Sequence, residues 1–400
     1  MSPFSKVPSQ ALKQPEPFSL HVSDKDVEEF KSLLTLSKIG VPTWENSTKG
    51  FGVTREWLSD TKDVWLRSFD WRRYEKFINS FPNFKMVVTD TVHDHLSIHF
   101  VALFSEKPDA IPIVFMHGWP GSFLEFLPML ELLTKKYNAQ TLPYHIIVPS
   151  LPGYTLSSGP PLDRDFSNTD SARIMNQLMV TLGFGGSGYI AQGGDVGSML
   201  ASQMSKLYPE CRAVLLNCLF LNPDDVPKSL EGLTEQEISN VERMQQFWQT
   251  NSAYAMMHSS RPATIGLALS ASPLALLAWV GEKLLEWADD REPIPLDTIL
   301  GMVSLYWFTD TFPRSIYPYR QIIRDPGHFG YSGLDNKVCG YSAFEKEISV
   351  PPRAWTEKLI PKLIRYDHDK GGHFAALEQP ELFLKDVEAF ALQAGHLFNA

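Results

Sequence analysis

The sequence predicts an α/β fold in which a mostly parallel sheet covered by helices carries a helical cap insertion and follows a helical N-terminal extension. Three observations predict it. Past residue 110, near-continuous apolar runs such as IPIVFMHGW and YHIIVPSLPGY alternate with helical patterns, as strands buried on both faces do. Between about 221 and 335 the strands stop, while helix-like segments such as TEQEISNVERMQQFWQ, PLALLAWVGEKLLEW and LDTILGMVSLYWF continue. Before residue 84, apolar residues already recur at helical spacing, ahead of the first clear strand.

In chain order, residues 1–17 hold four prolines and read as an irregular arm. Val27, Phe30, Leu33 and Leu34 mark a first helix, residues 54–69 a second and DWRRYEKFINSF (70–81) a third. The alternation in FKMVVTDTVHDHLSIHFVALFS (84–105) suits a β-hairpin. The core strands follow in IPIVFMHGW, YHIIVPSLPGY, GYIAQGGD and RAVLLNCLF. After the cap, the core resumes near AFEKEISVPPRAW and closes with KLIPKLIRYDHDKGGHFAAL and a helix at 380–393. The expected divisions are 1–104 for an extension wrapping the core, 105–220 and 335–400 for the core, and 221–334 for the cap.

Composition limits the function. With 400 residues, 44% hydrophobic and 20% charged, the chain can bury a large core. A net charge of −10 argues against a nucleic-acid partner. Cys211, Cys218 and Cys339 form no disulfide framework, which predicts a reducing, cytoplasmic setting. The first twenty residues lack the apolar stretch of a signal peptide. The most membrane-like segment, 265–281, is broken by Ser270, Ser272 and Pro273, short of the roughly 18 apolar residues of a spanning helix.

Chemistry enters at AQGGDVGSML (191–200), where small residues flank a central position, Gly193-Gly194-Asp195-Val196-Gly197. A serine hydrolase places Ser at the centre of such a strand-to-helix elbow. An aspartate there is already ionised at neutral pH. Its attack on a saturated carbon gives an alkyl ester, which keeps a carbonyl that activated water can hydrolyse. Epoxides and alkyl halides are the matching substrates. The competing reading is a Gly-rich turn whose Asp195 merely caps the next helix.

The remaining parts have candidates. FMHGWPGSF (115–123) ends a strand in a His-Gly turn, and the backbone N–H groups of Trp119 and Val196 are the expected oxyanion donors. His373 follows the last strand on a Gly-Gly loop, where this fold puts its general base; His368 is the close rival. His93, His95 and His99 fall in the hairpin, with no third metal ligand apparent; His117 belongs to the oxyanion turn, His145 to a strand start and His258 to a cap segment. The orienting acid is expected after the preceding strand, where Glu345 and Glu347 both qualify and Glu347 is preferred; Asp367 and Asp369 lie too near His373 in the chain.

These residues resemble the microsomal-type epoxide hydrolase family of α/β-hydrolases, particularly its soluble fungal branch. The likeness spans nearly the whole chain through FDWRRYEKFINSFPNFK, HGWPGSF, PSLPGYTLSSGPP, QGGDVGS, RPATIGLALSASPLALLAWVGEK and GGHFAALEQP. It implies a triad of Asp195, Glu347 and His373, and two cap tyrosines that protonate the epoxide oxygen. The first carries over as Tyr254 in NSAYAMMHSSRP. For the second, Tyr317 and Tyr319 compete, and the family's charged pair after the tyrosine selects Tyr319, although Gln321 stands where relatives often carry an acid. The resemblance implies epoxide and water as reactants, vicinal diols as products, no metal or organic cofactor and, as in relatives, a homodimer. The chain departs from the membrane-bound relatives in two ways: it shows no N-terminal anchor helix, which predicts a soluble enzyme, and its 324–347 connection is compact, which is expected to alter access to the pocket.

Two rivals remain. A haloalkane or haloacid dehalogenase shares the aspartate chemistry, but it usually stabilises halide with a tryptophan after the nucleophile, and here that residue is Val196. A halide also needs no proton, so paired phenols would have no task. A catalytically silent ligand-binding protein would be expected to lose one of these residues, and the chain keeps them all.

Overall fold

The computed structural model describes residues 3–90, 92, 94–222, 226–227, 229–324, 331, 334 and 336–398. Among these, nine strands form one sheet: β1 (Glu16–Phe18), β2 (Asn83–Asp90), β3 (Asp94–Leu103), β4 (Ile111–Met116), β5 (Tyr144–Pro149), β6 (Tyr189–Gly193), β7 (Cys211–Leu216), β8 (Val338–Phe344) and β9 (Ile364–His368). Their order is β1-β2-β3-β5-β4-β6-β7-β8-β9. β1, β2 and β3 run antiparallel and meet β5 antiparallel, while β5 to β9 pair in parallel. Every position of β5 and β6 is buried, which explains their unbroken apolar reading. This is the α/β-hydrolase arrangement.

Sixteen α-helices lie among the described residues. Three come from the extension: α1 (Asp24–Leu36), α2 (Arg55–Arg67) and α3 (Trp71–Ile78). In the core, α4 (Leu127–Lys136), α5 (Asn168–Met179) and α6 (Val196–Leu207) cover the sheet. The cap holds α7 (Glu235–Gln246), α8 (Ala253–Ser260), α9 (Pro262–Leu269), α10 (Pro273–Glu286), α11 (Leu296–Phe308), α12 (Thr311–Ser315) and α13 (Tyr319–Arg324). The core then returns with α14 (Arg353–Leu359), α15 (Ala375–Glu378) and α16 (Pro380–Ala394).

The extension does two jobs. Its hairpin widens the sheet, and its helices pack on the cap: α1 and α2 against α10, α3 against α11. Trp65 donates its indole N–H to Ser304 Oγ at 3.0 Å, and Phe30 and Trp71 pack against Phe308. One continuous apolar core thus runs through extension, sheet and cap.

Two details differ from the sequence reading. The 1–17 arm is tied down, with Glu16 opposite Lys85 in the sheet and Leu12 N–H donating to Thr181 O at 2.9 Å. β8 starts at Val338 rather than near AFEKE, because its glycine disguises it: a Cβ on Gly340 would lie 2.7 Å from Phe390. The 325–330 part of the cap-to-core connection lies outside the described residues, as does His93. No single helix among the described residues is long and apolar enough to cross a membrane; α9 and α10 are bent by 118° at the serine-proline break.

Candidate active site

The elbow follows from close packing. A Cβ on Gly197 would sit 2.0 Å from the Met116 carbonyl oxygen, so α6 approaches the end of β4 only with glycine there. Asp195, between β6 and α6, has φ 48° and ψ −125°, a conformation uncommon outside glycine and typical of functional strain. Its side chain makes no capping bond to α6, which corrects the helix-cap alternative. Instead Oδ1 accepts the Trp119 backbone N–H at 2.8 Å, and the Val196 N–H also favours the carboxylate. Burial raises the Asp195 pKa, while His373 and these two N–H groups oppose the rise.

The His-Gly turn is fixed from behind. His117 Nε2 accepts the Leu151 N–H at 3.2 Å, so its Nδ1–H is left to donate to Gly118 O at 3.0 Å. Burial lowers its pKa to about 4, so His117 stays neutral.

His373 lies between β9 and α15. Its Nδ1 is 2.7 Å from Glu347 Oε1, and its Nε2 is 3.6 Å from Asp195 Oδ2. Glu347, fully buried on the loop after β8, also accepts the Ile348 N–H at 2.7 Å. Burial lowers the His373 pKa, but Glu347 and then Asp195 outweigh it and take it up to about 9. The His373 loop is held to the end of α10: its N–H donates to Trp287 O at 2.9 Å, and Glu378 accepts the N–H groups of Asp289, Gly372 and Phe374.

The rivals lie elsewhere. Glu345 pairs with Arg291 at 3.3 Å, and Asp367 with Arg365 at 2.8 Å. His368 bonds Asp386 at 2.6 Å. His99 is a satisfied core histidine, its two ring nitrogens bonded to Ser150 and Asn83. The cluster with ligand atoms close enough to hold a metal among the described residues is Cys218, Glu347 and His373, and there Nδ1 and Oε1 already bind each other.

The cap supplies two phenols. Tyr254 on α8 and Tyr319 at the start of α13 are buried, with ring centroids 5.7 Å apart. Both pack on Trp119, Tyr254 stacked at 5.3 Å and Tyr319 edge-on at 5.8 Å. Burial raises both pKa values well above 10, and the Asp195 charge adds to each, so both remain O–H donors facing that carboxylate's field. Tyr317 points away and bonds Ser171 at 2.5 Å.

Three further residues escaped the sequence reading. Glu125 lines the same cleft as Asp195 and His373, and burial pushes its carboxyl up to about 8. The Ser122-x-x-Glu125 capping box was its signal. His258, one turn after Tyr254, packs against Trp119, Tyr254 and Tyr319 rather than serving only as a cap-segment residue. Lys283 lies buried on α10 with its ammonium 5.1 Å from the Tyr254 ring centroid. The signal for Lys283 was its place between Trp279 and Trp287 at four-residue spacing, a cation on an otherwise apolar face.

Comparison with known proteins gives a consistent picture. The family model described as epoxide hydrolase N terminus matches residues 15–126, and that of the alpha/beta hydrolase fold matches residues 111–256. The chain is 47% identical to the solved Aspergillus niger epoxide hydrolase, with TM-score 0.90, covering 98% of this chain and 99% of that one. It is 25% identical to the silkworm Bombyx mori juvenile hormone epoxide hydrolase, with TM-score 0.84 over 100% of both chains. Epoxide hydrolase 1 of Sus scrofa is 29% identical, covering 94% of this chain and 88% of that protein.

Proposed function

This chain belongs to the epoxide hydrolase family, which adds water to an epoxide through a covalent ester to give a vicinal diol, and we propose the residues that carry out each step here. The observation that carries the assignment is Asp195: its Oδ1 accepts a backbone N–H at 2.8 Å, its Oδ2 lies 3.6 Å from His373, and two cap phenols feel its charge.

In the first step, Asp195 Oδ2 attacks a ring carbon. The C–O bond of the epoxide breaks, and Tyr254 and Tyr319 hydrogen-bond the leaving oxygen, one of them giving it a proton. Oδ1, already held by Trp119 N–H with Val196 N–H beside the carboxylate, becomes the carbonyl oxygen of the ester. Its oxyanion donors are therefore in place before the second step.

In the second step, His373 takes a proton from water, whose oxygen attacks the ester carbonyl, and Glu347 stabilises the imidazolium. The bond from the carbonyl carbon to the diol oxygen then breaks, and that oxygen takes the proton of the new Asp195 carboxyl, leaving Asp195 ionised and His373 protonated as at rest. A histidine with pKa near 9 is protonated at rest. Ester formation removes the Asp195 charge, and the imidazolium can return its proton to the phenolate left by step one. That leaves His373 neutral when a base is needed. Glu125, kept neutral by burial, adds no third negative charge to the cleft.

The dehalogenase reading is disfavoured by the paired phenols, which have no role in expelling a halide. We further read the enzyme as cytoplasmic, supported by its three buried free cysteines, and as a homodimer, a point for light scattering. The test of function is diol formation from a panel of aryl and alkyl epoxides, run beside Asp195→Ala and a haloalkane control. Diol from the unaltered enzyme alone supports the assignment; halide release without diol overturns it.

A further inference from the structure

Lys283 is the buried charge that the two-step scheme leaves without a task. It sits on α10, 2% exposed, between the ring faces of Trp279 at 4.9 Å and Tyr254 at 5.1 Å. Its ion-pair partner is Glu282, the adjacent residue on the same helix, whose side chain is partly exposed. Taking an ammonium out of water is costly, and an apolar residue would suit this helix face better. Glu286, one turn further along α10, adds a second carboxylate that favours the charged form, while burial lowers the ammonium's pKa.

The neighbours show what the cation faces. Trp279 donates its indole N–H to His258 Nε2 at 3.0 Å, so the neutral imidazole carries its proton on Nδ1, which is buried without a hydrogen-bond partner. Burial, with Lys283 adding to it, lowers the His258 pKa to about 3. The layer behind the phenols thus holds one positive charge, Lys283, beside neutral rings.

We propose that Lys283 is a positioning residue that makes Tyr254 the proton donor of the pair, by stabilising the phenolate Tyr254 becomes during epoxide opening. This rests on the assignment of Tyr254 as an acid. When the epoxide C–O bond breaks, the Tyr254 O–H bond breaks with it, and the phenolate charge spreads into the ring whose face the ammonium covers. The cation–π attraction is modest to a neutral phenol and grows as that charge develops. It is therefore stronger in the transition state than in the ground state, which is the condition for raising the rate. The phenolate regains its proton from the His373 imidazolium before ester hydrolysis begins, so in the second step Lys283 has no comparable charge to act on.

The experiment is a rapid-quench double-mutant cycle with styrene oxide, following ester formation and ester hydrolysis separately by intact-protein mass. Lys283→Met is expected to slow ester formation at least tenfold, equivalent to about 1.4 kcal/mol, and to leave ester hydrolysis within about twofold. Lys283→Arg restores most of the loss. In a Tyr254→Phe background, Lys283→Met adds nothing further. An equal loss in that background, or equal slowing of both steps, overturns the proposal while leaving the Tyr254 assignment intact. If Tyr254→Phe alone leaves ester formation unchanged, the assignment of Tyr254 falls, and the proposal with it.

Discussion

The two halves of the site are built on opposite electrostatic plans. The core half is charged: Asp195 and Glu347 flank His373, and each carboxylate is held by backbone N–H groups at a strand end. The cap half is a neutral aromatic layer in which Tyr254, Tyr319, Trp119 and His258 pack ring to ring, with one buried cation behind. Trp119 belongs to both, its backbone on the carboxylate and its indole under the phenols. On the proposed mechanism the two steps are therefore separable: the core forms and hydrolyses the ester, while the cap only supplies a proton to the first of these.

Variants that break the core half should have the largest effects. His373→Gln is expected to accumulate the ester and lower diol release by about 10³-fold or more, with stoichiometric adduct visible by intact mass. Cap variants should slow ester formation without trapping it. Tyr319→Phe is expected to reduce the ester-formation rate by about 10- to 100-fold, below the range of a lone general acid because Tyr254 remains. Tyr317→Phe sharpens the contrast from beside the site: losing its Ser171 bond costs about 1 kcal/mol in urea unfolding and leaves kcat within twofold.

The charged half also predicts a pH dependence that the aromatic half does not. An unfolded histidine titrates near 6.5, and His373 in the folded chain near 9. Its pKa is raised on folding, so the stability it contributes is complete below about pH 6.5 and is lost as pH rises to about 9. Glu347→Gln removes the largest favourable cause of that shift. Its melting temperature should therefore fall less across this interval than that of the unaltered enzyme.

The same contrast explains what the sequence made legible. Core residues sit where strands end in tight turns, and the glycines those turns require, Gly118 and Gly197 above all, spell out short contiguous motifs. Asp195, His373, Trp119 and Val196 were readable for that reason. Glu347 and Glu345 were harder to separate: both follow β8, and burial against His373 rather than the ion pair with Arg291 distinguishes them. The cap residues come from helices whose registers no turn fixes, so Tyr254 and Tyr319 were legible only through resemblance. His258 gives no sign in sequence that its face is buried, and the one sign for Lys283, its place between Trp279 and Trp287, does not say what that face packs against. The packing of α1–α3 on the cap was likewise invisible, since amphipathic helices do not name their partners.

A single turnover of excess enzyme with an epoxide in H₂¹⁸O distinguishes the ester route from direct hydration. With an Asp195 ester, the first diol carries unlabelled oxygen drawn from the carboxylate, and ¹⁸O appears in the peptide containing Asp195. Label in the first diol with an unlabelled Asp195 would mean direct attack by water and would rule the ester out.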